Sequence, residues 1–324
     1  MINKLLQYGL TIWAVLTLNF VLPRMIPGNP LAQLDTVEGL PVALSQAQRD
    51  QIIAYYGLDQ PLHTQYIQYM RGLAHGDMGW SINYNAPVND VLVGRLKWTL
   101  LVVGASTVLY VLLGIVLGGL SAWHHHRTVD KIILIGGSAL GALPSFFLGM
   151  LLVMLFAVRL RWLPLSGAQS AALLEATGSE HIRDIVRHMV LPVTALVITS
   201  VGQVTYLTRN ALIQVLGQGY ITAARAKGLH ERRLLFRHAL PNAMLPVVAF
   251  VAMRFGFIAM GAVMIETTFA YPGIGMAIVE ASTSRDYALL QGTFAVVTLS
   301  IIAANIIADL LQHIIDPRLR RPAQ

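Results

Sequence analysis

The sequence predicts an all-α polytopic membrane protein with six transmembrane helices and a small helical extracytoplasmic insertion after the first helix. Of its 324 residues, 55% are hydrophobic and only 12% are charged, whereas soluble domains have about 25% charged residues. The hydrophobic residues also gather in runs long enough to cross a bilayer as helices. The chain has no cysteine, which excludes disulfides and thiol chemistry from its function.

Six apolar runs mark the predicted spans. In chain order they are residues 5–22, 100–123, 132–158, 191–207, 245–265 and 288–307. No small-residue cleavage site follows the first run, so we interpret it as a retained span and not as a signal peptide. The fourth run is the least hydrophobic because it contains Thr199, Ser200 and Gln203. An even number of spans places both termini on the same side of the membrane.

The spans divide the chain into three predicted parts. Residues 1–26 form the first helix with a cytoplasmic N-terminal end, residues 27–97 the insertion, and residues 98–324 a core of five helices. Within the insertion, residues 46–56 and 64–73 have helical character and turn residues lie between them. Taken alone, the insertion is interpreted as a small structural cap.

Small residues indicate close helix contacts inside the membrane. Gly114 and Gly118 are four residues apart in the second span, and the third span repeats small residues at 137, 141, 145 and 149, which would share one helix face. Pro144 is expected to kink that third helix. The contacts could lie within the subunit or form a pore or dimer face.

The distribution of charge sets the orientation. The termini and the loops on their side hold twelve of the 23 Lys and Arg residues, the opposite side holds ten, and Arg254 lies within a span. Five of those ten lie in the long segment between the first two spans, where the positive-inside rule weakens. Twelve of the 16 acidic residues lie on that opposite side. We therefore expect both termini and the 209–243 loop to be cytoplasmic.

The 209–243 loop contains the basic segment GYITAARAKGLHERRLLFRHALP, residues 219–241. It predicts two short helices at 220–227 and 231–240, joined by a left-handed Gly228 and ended by Pro241. Ala223 and Ala224 would let the backbone of another protein come close. The alternative interpretation is a solvated helical hairpin.

Arg254 is predicted to lie near the middle of the membrane. It follows Leu245 by nine residues, which is about 14 Å at ~1.5 Å per residue, and a guanidinium at that depth costs about 2.5–3.5 kcal/mol on insertion scales. It could bond backbone carbonyls, Gln203 or a partner subunit. It could instead face a translocation pathway and attract a carboxylate, and Gln203 and Glu266 are further pathway candidates.

Several kinds of chemistry have no motif here. The sequence has no G-x-x-x-x-G-K-[ST], H-E-x-x-H or G-x-S-x-G, so no catalytic, cofactor-binding or ATP-binding residue is expected. Consecutive residues His124, His125 and His126 predict a solvated turn, because neighbours on one turn do not converge on a metal ion.

The basic segment resembles the EAA loop of ABC importer membrane subunits. Thr222-Ala223-Ala224 precedes Gly228, and Leu240-Pro241 falls at the family spacing. Thr222 stands where that family has Glu and His238 where it has Ile, but the flanking residues look like the dipeptide/oligopeptide/nickel branch, which commonly lacks the Glu.

Other words of that branch extend the resemblance over nearly the whole chain. They are I-P-G-N-P at 26–30, G-L-D-Q-P at 57–61, G-D-M-G-W-S at 76–81, E-T-T-F-A-Y-P-G-I-G at 266–275, R-D-Y at 285–287 and D-P-R-L-R at 316–320. The combination is specific even though each word alone is weak.

This resemblance implies a permease of the type I ABC importer kind that takes up di- or oligopeptides by alternating access. The implied partners are a second homologous permease, two ATPases that bind ATP and Mg²⁺, an extracytoplasmic solute-binding protein and membrane lipid, with no nucleic acid. The membrane would be a bacterial or archaeal plasma membrane. The residues implied in coupling to the ATPase are Tyr220, Thr222, Ala223, Ala224, Lys227, Gly228, Leu240 and Pro241.

Two alternatives stay open at this point. Within the family, the solute could be nickel, a metal chelate or glutathione. In another class, the chain could be an ion-coupled secondary transporter, although such proteins often carry a carboxylate near the middle of a span. The central parts of the predicted spans contain no Asp or Glu, which argues against that class.

Overall fold

The computed structural model describes residues 2–25, 36–37, 40–41, 59–173, 178–256 and 263–315. Within these ranges the chain is almost entirely helical, as the sequence predicts. The α-helices there are α1 (Ile2–Met25), α2 (Leu62–Ala74), α3 (Val88–Trp123), α4 (Thr128–Gly141), α5 (Ser145–Leu152), α6 (Ser179–Leu216), α7 (Gly219–Ala226), α8 (Glu231–Leu234), α9 (Leu240–Gly256), α10 (Val263–Thr268), α11 (Ile274–Thr283) and α12 (Tyr287–Ile315).

Shorter elements connect the helices. Two π-helical segments, Val153–Arg159 and Leu235–Ala239, extend α5 and α8, and Ala171–Leu173 forms one 3₁₀ turn. Two antiparallel ladders of two residues per strand pair β1 (Thr36–Val37) with β2 (Leu40–Pro41) and β3 (Trp80–Ser81) with β4 (Ala86–Pro87). Strands this short have no alternating pattern for a sequence to reveal.

The prediction of six spans agrees with the helices. By length and composition, five described helices can cross a membrane, and the count reaches six when the bent pair Thr128–Gly141 and Ser145–Arg159 is taken as one span. Helices α3 and α6 have 36 and 38 residues. At ~1.5 Å per residue each is well over the ~30 Å of a hydrocarbon core, so both extend beyond it. The expected helix at 64–73 is found as α2, and the one at 46–56 lies outside the described residues.

The third span is broken and not merely kinked. Helix α4 ends at Gly141, α5 begins at Ser145, and their axes differ by 91°. Pro144 directly precedes α5. A proline has no N–H to continue a helix, and it disfavours helical geometry in the residue before it, which accounts for the break between α4 and α5. The single face expected through residues 137–149 is therefore wrong beyond Gly141.

The fifth span begins earlier than predicted. Glu231–Leu234, the π turn and α9 follow one another without interruption, so the expected stop at Pro241 and the expected start of the span at Leu245 are both wrong. The wide π turn, which ends at Ala239 two residues before Pro241, shifts the hydrogen-bond register and makes room for the proline ring. Asn242 then donates its side-chain amide to the His238 carbonyl at 2.7 Å. Residues 257–262 of the predicted span lie outside the described residues.

The small residues of the second span form a contact within this chain. A Cβ placed on Gly118 would lie 2.6 Å from the Thr205 carbonyl oxygen, and one on Gly114 would lie 2.5 Å from the Cβ of Val204. Gly202, which precedes these contacts in α6, approaches Gly137 of α4 in the same way. Of the two interpretations left open by the sequence, packing inside the subunit is the one observed for these glycines.

The chain contains two compact units. The first combines Met1–Thr99 with Pro272–Ile302, and the second combines Leu100–Tyr271 with Ala303–Gln324. The first unit has Val88, Ile274 and Leu289 completely buried. The predicted boundaries at residues 26 and 97 stay a prediction.

Candidate functional site

A glycine-capped turn shapes the basic hairpin, which we define as residues 219–239. Helix α7 ends at Ala226, and Gly228 adopts a left-handed φ of +79°. The N–H of Gly228 donates to the Arg225 carbonyl at 3.0 Å, and the N–H of Leu229 donates to the Ala224 carbonyl at 3.3 Å. This pair of bonds is a Schellman motif. The predicted left-handed glycine at this position is confirmed.

The hairpin packs on a buried apolar cluster, which we call the apolar footing. Ile221 of α7 and Leu234 of α8 are fully buried, together with Leu212 of α6 and Ala239 of the π turn. Ala122 at the end of α3 belongs to the same buried cluster. Burial of a large aliphatic side chain contributes about 1.5–3 kcal/mol, so these contacts fix the hairpin to α3 and α6.

Polar contacts tie α7 to α8 and to the start of α9. The guanidinium of Arg225 bonds the Glu231 carboxylate through Nε at 2.6 Å and through Nη2 at 3.1 Å. The side-chain amide of Asn242 donates to the Tyr220 hydroxyl at 3.2 Å, and the His230 ring accepts the N–H of Arg232 to cap α8. The Arg225–Glu231 pair is half exposed, so it contributes less than about 1 kcal/mol and mainly fixes geometry.

The predicted coupling residues differ in exposure. Tyr220, Thr222, Ala223, Lys227, Gly228 and Pro241 are exposed. Ala224 and Leu240 are half-buried, and Ala224 packs against the apolar footing. The exposed face of α7 thus presents the small side chains of Thr222 and Ala223, the latter predicted for close approach, next to the larger Tyr220 and Arg225. Whether an ATPase docks on it stays a prediction.

A buried ionic cluster next to the hairpin was not predicted from the sequence. Asp130 is only 3% exposed, and Arg209 of α6 bonds both of its oxygens, through Nε at 2.7 Å and Nη2 at 2.8 Å. Ser121 donates to the same carboxylate at 2.6 Å, and His125 Nδ1 lies 3.2 Å away. The cluster clamps the end of α3, the start of α4 and α6 together. A lone Asp after three histidines gave no signal of this role.

Arg254 and Gln203 are brought together at a polar cavity. Arg254 Nη2 donates to the Gln203 side-chain oxygen, and the guanidinium carbon lies 5.3 Å from the centre of the Phe250 ring. Both residues line a cavity of about 260 Å³ between α3, α5, α6 and α9. The third pathway candidate, Glu266, is buried in α10 and is not among the residues that line this cavity. The pathway role of all three stays a prediction.

In the first unit, two short sequence motifs that are far apart in the chain are in contact. Ser81 ends the G-D-M-G-W-S word and donates to Asp286 of the R-D-Y word at 2.5 Å. Asp286 also accepts the backbone N–H of Asn83 at 3.0 Å and of Leu289 at 3.0 Å. The aspartate thus caps α12 and fixes the β3–β4 turn, a structural reason for these words to occur together.

The same unit contains a cluster of polar side chains that no sequence motif predicted. Arg95 bonds Glu280 at 2.6 Å, and the Tyr84 hydroxyl contacts both side chains. Burial, followed by the hydrogen bond to Glu280, raises the pKa of Tyr84 to about 12, so its hydroxyl remains a donor at neutral pH. Arg95 and Glu280 are 185 residues apart in sequence, a separation that sequence patterns cannot bridge.

No metal centre is formed by the residues that the structure describes, because no three His, Asp or Glu side chains there are grouped suitably. Of the three consecutive histidines, His125 lies against Asp130 and Arg209.

Comparison with known proteins identifies the family. A family model described as "Binding-protein-dependent transport system inner membrane component" matches residues 114–321. The chain belongs to this permease family. It is 34% identical to the oligopeptide transport system permease protein AppB of Bacillus subtilis over 93% of each chain. It is 33% identical to the dipeptide transport system permease protein DppB of Escherichia coli K12, covering 96% of this chain and 95% of that one.

A third relative has a different named solute. The glutathione transport system permease protein GsiC of Escherichia coli O6:H1 is 32% identical over 98% of both chains. The permease is thus a subunit of an ABC importer of the peptide and glutathione family and a multi-pass inner membrane protein. It is not itself catalytic. The family implies a partner ATPase that uses ATP and a binding-protein partner.

Proposed function

We propose that this permease imports di- and oligopeptides, and that the basic hairpin transmits the ATP-driven motion of an ATPase to the spans. The complex would contain a second homologous permease, two ATPases with ATP and Mg²⁺, and an extracytoplasmic solute-binding protein. The oligopeptide and dipeptide relatives support peptides as the solute. The observation that carries the proposal is that α7 exposes Thr222 and Ala223 while its Ile221 is anchored in the buried apolar cluster.

The footing gives the proposed coupling its physical route. A push on α7 acts through Ile221 on Leu212, which belongs to the 38-residue helix α6. The Arg209–Asp130 clamp then links α6 to the start of α4. ATP can drive such a motion only by stabilising one arrangement of the spans more than the other. In this proposal the ATP-bound ATPases favour the outward-facing arrangement.

The orientation follows from the same proposal. The hairpin and both termini are cytoplasmic, where the ATPases bind, and the insertion at 27–97 is extracytoplasmic, where the binding protein delivers cargo. The excess of Lys and Arg on the hairpin side supports this orientation.

Variants of Ala223 test the docking face without disturbing the footing. Ala223 is exposed, so Ala223→Trp changes the surface of α7 while the span packing remains. In proteoliposomes with the partner subunits, Ala223→Trp should abolish most solute-stimulated ATPase activity and uptake, and the matched control Ala223→Ser should retain both. Equal, normal activity of both variants would refute docking at this face.

The solute requires a separate measurement. Binding of a labelled tripeptide to the cognate solute-binding protein should be displaced by unlabelled di- and tripeptides. Glutathione is the second candidate because the glutathione relative aligns over 98% of this chain. Displacement by glutathione or Ni²⁺ but not by α-linked peptides would overturn the peptide assignment and leave the coupling proposal standing.

A further inference from the structure

The polar cavity at Arg254 has a composition that suits an anion. Arg254 is its cation, and among the described residues that line it there is no Asp or Glu. The lining residues are Val103, Ser106, Thr107, Tyr110, Ser145, Leu196, Thr199, Ser200, Gln203 and Arg254. A cation in a polar recess between helices attracts negative charge.

The hydrogen bonds around the cavity show which of its polar groups can still donate to an anion. Ser106 and Thr107 donate to the Val103 carbonyl at 2.9 and 2.7 Å, and Thr199 donates to the Ala195 carbonyl at 2.9 Å. These hydroxyls are thus occupied as donors within their own helices. Gln203 accepts from Arg254 through its oxygen, and its amide NH₂ is a further hydrogen-bond donor. The guanidinium has five N–H donors, and the bond to Gln203 uses one of its nitrogens.

We propose that this cavity binds a carboxylate of the peptide cargo, with Arg254 as the charged donor and Gln203 as the positioning residue. The inference rests on the proposed peptide import and adds a recognition site inside the permease. The volume of about 260 Å³ is slightly below the ~300–1,000 Å³ of sites for whole drug-sized ligands. It therefore suits one end of a peptide and not the entire molecule. A guanidinium and a carboxylate form a charge-assisted, often bidentate pair.

The experiment uses the reconstituted complex and compares three peptides. One has a free C-terminus, the second is its C-terminal amide, and the third is an amide that carries one Asp side chain. Single-turnover uptake is measured at saturating loading of the binding protein. For each peptide the rate of the Arg254→Gln complex is divided by the wild-type rate, which cancels any preference of the binding protein.

The expected result is a selective loss. Arg254→Gln should reduce the ratio for the free peptide about tenfold below the ratio for its amide, equivalent to ~1.4 kcal/mol. Arg254→Lys should restore part of it, because the charge remains while the fork geometry is lost. The matched control Arg187→Gln changes an exposed arginine that donates to the Trp162 carbonyl and should leave the ratio unchanged. The Asp-containing amide shows whether a side-chain carboxylate is also accepted.

Other outcomes overturn the inference. Equal losses for free and amidated peptides would show that the guanidinium bonds the partner permease or shapes the helices. Failure of both Arg254 variants to assemble with their partners would likewise assign the guanidinium a structural role. If wild type transports none of the peptides, peptide import itself fails, and that outcome is distinct from a wild-type complex whose ratio does not depend on Arg254.

Discussion

Gly228 provides the sharpest test of the hairpin, because a side chain substituted there would strain the backbone without crowding any neighbouring atom. Its φ is +79°, and a Cβ added there would meet no atom within 4 Å. Substitution therefore costs backbone energy alone. A left-handed conformation costs about 1–2 kcal/mol for an ordinary L-residue, more for a β-branched one and little for Asn. Gly228→Val should thus shift the equilibrium of hairpin closure about 5–30-fold toward the open form, and Gly228→Asn should shift it far less.

Limited trypsin cleavage after Arg225 measures this opening directly. That bond lies in an exposed helix whose flanking residues the substitution does not change. Cleavage should be about 5–30-fold faster in Gly228→Val than in wild type, and near the wild-type rate in Gly228→Asn. The number of peptides imported per ATP hydrolysed should fall in the same order. Equal cleavage and coupling in the two variants would refute the claim that the capped turn holds the hairpin closed.

Three further predictions concern packing, charge and topology. Gly118→Leu should destabilise the folded permease by about 1–3 kcal/mol in thermal unfolding, because a Cβ there meets the Thr205 carbonyl oxygen at 2.6 Å. The control Gly119→Leu should be nearly neutral, because a Cβ at Gly119 meets no atom within 4 Å. Asp130→Asn should cost about 3–5 kcal/mol of stability because it leaves Arg209 unpaired in a buried site. Glu231→Gln should cost less than about 1 kcal/mol because its pair with Arg225 is exposed. Similar melting temperatures for these two variants would contradict the clamp. In a chain without native cysteine, Asp59→Cys should react with an impermeant thiol reagent in spheroplasts and Arg233→Cys should not, and the reverse labelling would invert the orientation.

The span count and the capped turn could be predicted because they depend on local patterns. Long apolar runs determine which segments enter the membrane, and a glycine after a short alanine-rich helix predicts the left-handed stop found at Gly228. Pro144 and Pro241 show the limit of such rules. The first breaks the third span by 91°, whereas a π turn allows the second to sit inside a continuing helix.

Clusters that join distant segments could not be predicted. Nothing local in the sequence links Asp130 to Arg209 or Arg95 to Glu280, since each pair depends on helices that meet only after folding. The contact between Arg254 and Gln203 was one of the alternatives that the sequence left open, because a guanidinium inside a membrane requires a partner. The cavity beside them is formed by four helices together.

Uptake by the complete complex tests the central claim most directly. The permease, its partner permease, the ATPases and the solute-binding protein are reconstituted in proteoliposomes, and accumulation of a labelled tripeptide is followed with ATP or with an imposed proton or sodium gradient. The account predicts accumulation that requires both ATP hydrolysis and the binding protein and that Ala223→Trp abolishes. Accumulation driven by an ion gradient without ATP, or ATP-driven uptake that Ala223→Trp leaves intact, would contradict it.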